Sequence, residues 1–267
     1  MSSKPKHAAK DEAAEKPVST GWRVVNALAT FVAAVSLTVT LIAAGFAVDA
    51  AVPLTTDLLA EAFSGSTNPD TPFSHEELVL AAGVTRDYTV ADNDLDALYE
   101  MLHEINESAG TPYADATDEE LAAADEAYTL DSEAISHLDD VYQVVTIARN
   151  VLIVVAVLAV AACAHVGIRK GKRSLGRVMT FSGVVVLALF IALGIWVAVD
   201  FNGFFAVFHS LFFSEGSWYF ASDSLLITMY PTNFWIGMGA VWLAVSCVLA
   251  VIALVVGHQL RKRKKEA

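Results

Sequence analysis

Apolar residues along the chain are concentrated in four long runs, at residues 23–48, 144–168, 178–200 and 234–257. A helix needs about 20 residues to cross the ~30 Å hydrocarbon core of a bilayer, and each run is long enough to do so. The pattern therefore predicts an all-α membrane protein with four transmembrane helices.

The longest polar region, residues 49–143, lies between the first and second runs. Its strongest helix signals fall at residues 74–82, 92–106 and 117–127. Ser74 stands three residues before Glu77, which is the spacing of a capping box at the start of a helix. Residues 65–72 have the composition of a loop. We therefore expect a mainly helical domain between the first and second transmembrane helices.

Lysine and arginine are gathered at three places, and these set the predicted topology. Residues 1–23, 169–177 and 261–265 each hold five of the 17 Lys and Arg residues. Basic segments beside membrane spans stay in the cytoplasm, and four spans put all three clusters on one side. The predicted cytoplasmic segments are the tail 1–22, the loop 169–177 and the tail 258–267. Residues 49–143 and 201–233 are then extracytoplasmic.

The acidic residues are gathered in the predicted outer domain. Residues 49–140 hold 23 of the 30 Asp and Glu residues, while the whole chain has a formal net charge of −13. Solubility accounts for this acidity most simply, and specific cation binding is a weaker alternative. No nucleic-acid partner is expected, because the basic clusters are short and are explained by topology.

The two cysteines and the first apolar run indicate whether the outer domain has disulfide bonds and how it is anchored to the membrane. Cys163 and Cys247 both fall within predicted spans, so the outer domain has no disulfide framework. The first run is longer than the apolar part of a signal peptide, and no clear cleavage site follows it. We therefore interpret it as an uncleaved anchor.

Aromatic residues cluster in the segment that begins after the third run. Residues 201–235 contain eight of the 14 Phe residues. Five of them share one face of a predicted helix: Phe201, Phe204, Phe205, Phe208 and Phe212. His209 follows Phe205 by four residues and therefore lies at the edge of that face. Such a segment is typical of the boundary between lipid and water.

A second histidine, His137, lies just before the second run. Asp140 follows three residues later, on the same face of a helix, where its carboxylate can orient the imidazole and raise its basicity. The second and third spans form a hairpin, so the outer ends that carry His137 and His209 should lie about 8–10 Å apart. The topology therefore predicts two imidazoles at similar depth on the outer face.

Four motifs resemble the bacterial lipoprotein intramolecular transacylases. They are E-A-I-S-H-L-D-D-V at residues 133–141, F-H-S-L-F-F at 208–213, W-Y-F at 218–220 and L-L-I-T-M-Y-P-T-N-F-W at 225–235. The resemblance extends to the four-span layout. It implies that an ester-linked acyl chain of a diacylglyceryl-cysteine lipoprotein moves to the lipoprotein's own N-terminal amine, which gives a lyso-form lipoprotein.

The resemblance assigns the functional histidines of the family to His137 and His209. Imidazole is the usual base near neutral pH, so one histidine is expected to be the base and the other an acid or oxyanion donor. Asp140 is expected to assist. The substrate-binding residues, which would hold the acyl chains, are expected to be Phe205, Phe208, Phe212, Phe213, Trp218 and Tyr230. Direct transfer without an acyl-enzyme is favoured, because no nucleophilic serine is evident.

The expected partners follow from this reaction. They are diacylglyceryl-modified lipoproteins and membrane lipids, and neither a metal nor another cofactor is expected. The expected location is the bacterial cytoplasmic membrane, crossed several times, with the active site facing outside.

Two other functions fit the residues. His137, His209 and Asp140 can form a facial ligand set for Zn²⁺ or Fe²⁺, which would make the protein a metal-dependent membrane hydrolase. Alternatively, the acidic domain binds a partner and the protein is a non-enzymatic scaffold or sensor.

Overall fold

The computed structural model describes residues 20–262, which form helices, turns and loops without a strand. The predicted tails lie mostly outside this range, at residues 1–19 and 263–267. The helices of the described range are α1 (Thr20–Ala51), α2 (Pro53–Phe63), α3 (His75–Val90), α4 (Leu95–Ala109), α5 (Asp118–Ala122), α6 (Ser132–Lys170), α7 (Lys172–Val199), α8 (Phe201–Ser210), α9 (Leu225–Met229) and α10 (Thr232–Arg261). The prediction of an all-α protein is confirmed.

Four of these helices, α1, α6, α7 and α10, are long and apolar enough to cross a membrane. They pack against one another, and α7 approaches α10 closely at two facing glycines. A Cβ on Gly176 would lie 2.6 Å from the carbonyl oxygen of Gly257, and one on Gly257 would lie 2.8 Å from that of Gly176. Small residues permit this close approach between membrane helices.

The two ends of this four-helix bundle differ. At one end, here called the capped end, α1 and α7 terminate, α6 and α10 begin, and all the shorter helices lie. At the opposite end, here called the basic end, lie Thr20, the turn at Gly171 between α6 and α7, and Arg261. The connections therefore place every candidate catalytic residue at the capped end.

Helices α2 to α5 form a small helical domain, residues 53–131, with a core of its own. Ser74 and Glu77 form the predicted capping box at the start of α3. This helix continues past residue 82 to Val90, because Tyr88 and other residues of its last turns are buried in the core. Helix α4 begins later than predicted, because Asp94 caps it and the preceding Asn93 has a positive φ of 56°.

Helix α5 is shorter than the predicted helix 117–127 and ends at Ala122. The following segment is held in an extended turn by long-range hydrogen bonds. The side-chain amide of Asn106 donates to the carbonyl oxygen of Tyr128 at 3.0 Å, and the amide of Leu225 donates to that of Glu126 at 2.8 Å. These tertiary bonds hold the segment after α5 against α4 and α9.

Helix α9 belongs to the core of the helical domain, although it lies between α8 and α10 in the chain. Four of its five residues are buried. The amide of Gly65 donates to the carbonyl oxygen of Thr228 at 2.9 Å, and the hydroxyl of Ser64 donates to that of Met229 at 2.8 Å. The helical domain thereby fixes the far end of the loop that follows α8.

Candidate active site

His137 is buried in the second turn of α6, with 8% of its surface exposed. Asp131 caps this helix by accepting a hydrogen bond from the amide of Ala134 at 2.8 Å. Ala134 and Leu138 are buried in the core of the helical domain. The same helix thus anchors the domain and presents His137 at its edge.

His209 lies near the end of α8, which begins directly after α7. Asp200 caps α8 by accepting a hydrogen bond from the amide of Gly203 at 2.8 Å. The ring of Phe204 packs on Trp196 of α7, with 5.6 Å between the centroids. These contacts hold α8 at the end of α7 and position His209 beside the start of α6.

The two imidazoles face each other across the capped end. Their ring centroids are 6.3 Å apart and their planes differ by 29°. At this separation, one polar group beside the two rings can lie within hydrogen-bond distance of a nitrogen of each. The pair can therefore contact one reacting group together.

One hydrogen bond fixes the tautomer of His209. Its Nδ1 lies 2.8 Å from the carbonyl oxygen of Phe205. Because a carbonyl oxygen only accepts, the proton of the neutral imidazole is on Nδ1, and the lone pair is on Nε2. Burial lowers the pKa of His209 from its ordinary value of 6.5, and the bond to Phe205 opposes this shift in part. Its Nε2 is therefore available as a base at neutral pH.

Aromatic rings surround both imidazoles. The nearest to His209 is Phe205, at a centroid distance of 3.9 Å, and Phe213 lies 4.8 Å from His137. The other predicted rings around His209 are Phe208 at 5.5 Å and Trp218 at 4.8 Å. Phe212 contacts Phe208 and Phe213 rather than either imidazole. Five of the six predicted substrate-binding aromatics therefore belong to this cluster.

Two buried nitrogen atoms in the cluster lack a hydrogen-bond partner among the described residues. They are Nδ1 of His137 and Nε1 of Trp218. A buried polar atom without a partner is costly, so such atoms require an explanation. A polar group of a bound substrate would supply the missing partner for each.

Asp140, predicted to orient His137, is exposed and makes no hydrogen bond to it in the described part of the chain. Its charge interacts with His137 only through space, and this electrostatic effect on protonation of the imidazole is weaker than the effect of burial. The neighbouring Asp139 has a structural role. Its carboxylate accepts hydrogen bonds from the hydroxyl of Tyr88 at 2.5 Å and from the side-chain amide of Asn93 at 3.0 Å. Asp139 thereby ties α6 to the helical domain.

Tyr230 is the predicted substrate-binding residue that lies away from both imidazoles. It is buried in the core of the helical domain, and its hydroxyl donates to the carbonyl oxygen of Ala82 at 2.5 Å. Its ring reaches the cluster only indirectly, through Trp235, which contacts Phe205. The structure thus gives Tyr230 a supporting position.

A cavity of about 440 Å³ adjoins His137, and most of the residues that line it were not among the predicted site residues. It is lined by Ser132, Glu133, Ser136, His137, Gly216, Ser217 and Phe220. Phe220 also contacts the imidazole of His137 at a centroid distance of 5.6 Å. The helical spacing of Glu133, four residues before His137, was a signal that could have identified the polar wall.

No group of three or more His, Cys, Asp and Glu side chains within residues 20–262 is arranged to hold a metal ion. The facial set of His137, His209 and Asp140 is not assembled, because Asp140 does not join the two imidazoles. The geometry thus gives no support to the metal-dependent hydrolase hypothesis.

Four membrane-crossing helices with a histidine pair at one end define a membrane-integral protein with a site set among aromatic rings. A family model described as lipoprotein intramolecular transacylase Lit matches residues 85–235, which include both histidines and more than half of the chain. The chain belongs to this family. It is therefore an acyltransferase that acts on lipoproteins, which decides against the scaffold or sensor hypothesis.

Solved structures of similar fold agree with this assignment. The membrane integral lipoprotein intramolecular transacylase Lit from Bacillus cereus superposes with a TM-score of 0.68 at 16% sequence identity, over 92% of this chain and 100% of that one. A variant of the same protein with one histidine replaced by alanine gives a TM-score of 0.63 at 15% identity, over 92% and 98% of the two chains. At this identity the likeness shows a shared fold. No curated protein matches the chain.

Proposed function

We propose that His137 and His209 together catalyse transfer of an ester-linked acyl chain of a diacylglyceryl-cysteine lipoprotein to its own N-terminal amine. The observation that carries this proposal is the pair of facing imidazoles, 6.3 Å apart, set among aromatic rings. The product is a lyso-form lipoprotein that bears an N-acyl chain.

His209 acts as the general base. The neutral amine attacks the carbonyl carbon of the ester, and its surplus proton passes to Nε2 of His209, the nitrogen left free by the bond to Phe205. Burial favours the neutral imidazole, which keeps this nitrogen unprotonated near pH 7.

His137 and Trp218 stabilise the oxygen atoms of the reacting ester. Each has a buried nitrogen without a hydrogen-bond partner among residues 20–262. An N–H group directed at a developing oxyanion stabilises the transition state strongly in a site that excludes water. Collapse of the tetrahedral intermediate forms the amide, breaks the carbon–oxygen bond and leaves the glycerol oxygen to take a proton. Overall, one proton moves from the amine to the glycerol hydroxyl, and no other reactant is needed.

The polar cavity beside His137 receives the N-terminal end of the lipoprotein. Glu133 and the serines of its wall supply hydrogen-bond acceptors for the incoming neutral amine and partners for the peptide backbone. The partly exposed Phe208 on α8 and Phe212 just after it contact the acyl chains from the other side. This arrangement places the ester between a polar and an apolar surface.

The site lies on the extracytoplasmic side of the bacterial cytoplasmic membrane, with both chain termini in the cytoplasm. This orientation is supported by the basic residues at the opposite end of the bundle, where the α6–α7 turn carries Arg169, Lys170, Lys172 and Arg173. The predicted span 144–168 then begins about three turns inside α6, so the earlier turns with His137 stand above the hydrocarbon. Membrane lipids are the expected surroundings, and no nucleic-acid partner is expected.

The proposal is tested by expression in a bacterium that lacks N-acylation of lipoproteins, followed by mass spectrometry of a lipoprotein N-terminal peptide. The unaltered chain should produce the lyso-form peptide with an N-acyl chain. His137→Ala and His209→Ala should each reduce that peptide by about 100-fold or more, the usual worth of a general acid or base.

His103→Ala is the matched control, because His103 pairs with Asp118 on the surface of the helical domain. It should leave the yield of lyso-form peptide unchanged. Full yield from both site variants, at equal protein level, would contradict the assignment of the two histidines.

A further inference from the structure

A cavity of about 560 Å³ lies at the basic end of the bundle, far along the helices from the histidine pair. Its apolar walls come from two facing helices: Ala27, Phe31 and Ala34 on α1, and Val178 and Phe181 on α7. Both sets follow the spacing of one helix face. The side chains of Phe31 and Phe181 are more than half exposed, so the cavity is a groove on the outer surface of the bundle.

Two cations and two hydroxyl groups stand at the mouth of this groove. Nζ of Lys170 donates to the hydroxyl oxygen of Thr30 at 2.8 Å, and Nη2 of Arg177 donates to that of Ser174 at 3.2 Å. All four residues line the cavity. The groove thus has a polar, positively charged head and a long apolar stem.

Among residues 20–262, no carboxylate forms an ion pair with these cations. Residues 141–199, which include the end of α6 and all of α7, contain no Asp or Glu. The ion pairs found in residues 20–262 involve His75, Arg86 and His103, and neither Lys170 nor Arg177 takes part in one. Two cations that line one groove favour an anion between them.

We propose that this groove binds one anionic phospholipid, with the phosphate diester between Lys170 and Arg177 and an acyl chain along α1 and α7. The planar guanidinium of Arg177 can bind two phosphate oxygens at once, and the ammonium of Lys170 supplies a second charge. Basic pockets between membrane helices are a recognised kind of site for anionic headgroups. The site is separate from the catalytic pair and would stabilise the packing of α1 on α7.

The test uses native mass spectrometry of the purified full-length protein in detergent, titrated with phosphatidylglycerol and, separately, with phosphatidylcholine. The unaltered protein should bind one phosphatidylglycerol in preference to phosphatidylcholine. The double change Lys170→Gln with Arg177→Gln should weaken phosphatidylglycerol binding by roughly tenfold or more, since each basic group near an anionic headgroup contributes about 1 kcal/mol.

The neighbouring pair Lys172 and Arg173 supplies the matched control. Both are exposed in the same turn and neither lines the groove, so changing both to Gln removes the same charge. This control should bind phosphatidylglycerol as the unaltered protein does. Equal losses in the two double variants would overturn the site, because binding would then depend on surface charge alone.

A third variant tests the stem of the groove. Ala27 is exposed, so Ala27→Leu should fill part of the groove without disturbing the fold and should weaken lipid binding while both cations remain. Inorganic phosphate should fail to displace the lipid. Displacement by phosphate, or lipid binding unchanged in Ala27→Leu, would show that the groove does not hold an acyl chain and would overturn the proposal.

Discussion

Helices α8 and α9 lie close together in the chain but have opposite environments. Four of the five residues of α9 are buried, and its backbone is bonded to the helical domain. Helix α8 has ten residues, none of them buried, and carries His209 among rings. Helix α9 thus fixes the loop that returns from the site, while α8 leaves His209 and an apolar surface incompletely covered, as the proposed substrate site requires.

The largest expected effect is on stability and tests the buried environment of α9. Met229 is fully buried, so Met229→Ala should leave a cavity and lower the free energy of unfolding by about 2–5 kcal/mol. Phe212→Ala, at a half-exposed ring just after α8, should lower it by less than about 1 kcal/mol and instead raise KM for a lipopeptide. Thermal unfolding and steady-state kinetics measure both effects, and similar unfolding losses in the two variants would erase the distinction.

The next effect concerns the buried indole nitrogen of Trp218. Trp218→Phe keeps a ring beside His209 and removes the N–H, so kcat should fall by about 10- to 100-fold with little change in KM. Tyr219→Phe removes a hydroxyl from the exposed ring stacked on Trp218 and is the control. A kcat for Trp218→Phe equal to that of the control would remove the indole from the mechanism.

Adjacent aspartates give one effect of similar size, on stability, and one much smaller effect, on activity. Asp139→Ala loses the hydrogen bonds to Tyr88 and Asn93 and should lower the free energy of unfolding by about 1.5–3 kcal/mol. Asp140→Asn removes only a through-space charge from an exposed position and should change kcat/KM by no more than about threefold. A large loss of kcat/KM in Asp140→Asn with unaltered stability would restore the predicted catalytic role of that carboxylate.

The smallest effect is a shift in pH dependence. Burial lowers the pKa of His209, so the free imidazole stays neutral as the pH falls through the ordinary value of 6.5, and protonation of His209 reduces activity only at a lower pH. The ring of Phe213 contacts both imidazoles. Phe213→Ala should admit water, raise the pKa of His209 towards 6.5 and so move the loss of kcat/KM that is due to His209 to higher pH. The substrate amine must also be neutral, so it adds its own loss of activity below about pH 8 in both proteins. An identical acid limb in Phe213→Ala and the unaltered protein would contradict the role of buried His209 as the base.

The sequence predicted the bundle and the meeting of the two histidines, because long apolar runs and basic turns determine both. It did not predict α9, whose five residues are too few to show a period. Trp218 and Tyr230 looked alike as aromatics in one loop, yet only Trp218 joined the cluster. The hydrogen bond from Tyr230 to Ala82 joins residues 148 positions apart, and no local pattern signals such a contact.

The adjacent aspartates illustrate the same limit. Helical spacing correctly put Asp140 near the face of His137 but could not show that the side chain remains in solvent. The importance of Asp139 depends on Tyr88 and Asn93, which reach α6 only once the helical domain has folded against it. Tertiary contacts of this kind, rather than periodicity, decide which of two identical neighbours has a structural role.

The most direct measurement of the central claim follows one labelled acyl chain. The purified protein would be given a diacylglyceryl lipopeptide whose chain at the middle glycerol position carries an isotope label, and the product would be read by tandem mass spectrometry. If His209 is the general base, the unaltered protein and His103→Ala move the label to the N-terminal amine, whereas His209→Ala leaves it on the glycerol. Transfer of the label at an undiminished rate by His209→Ala would contradict the account.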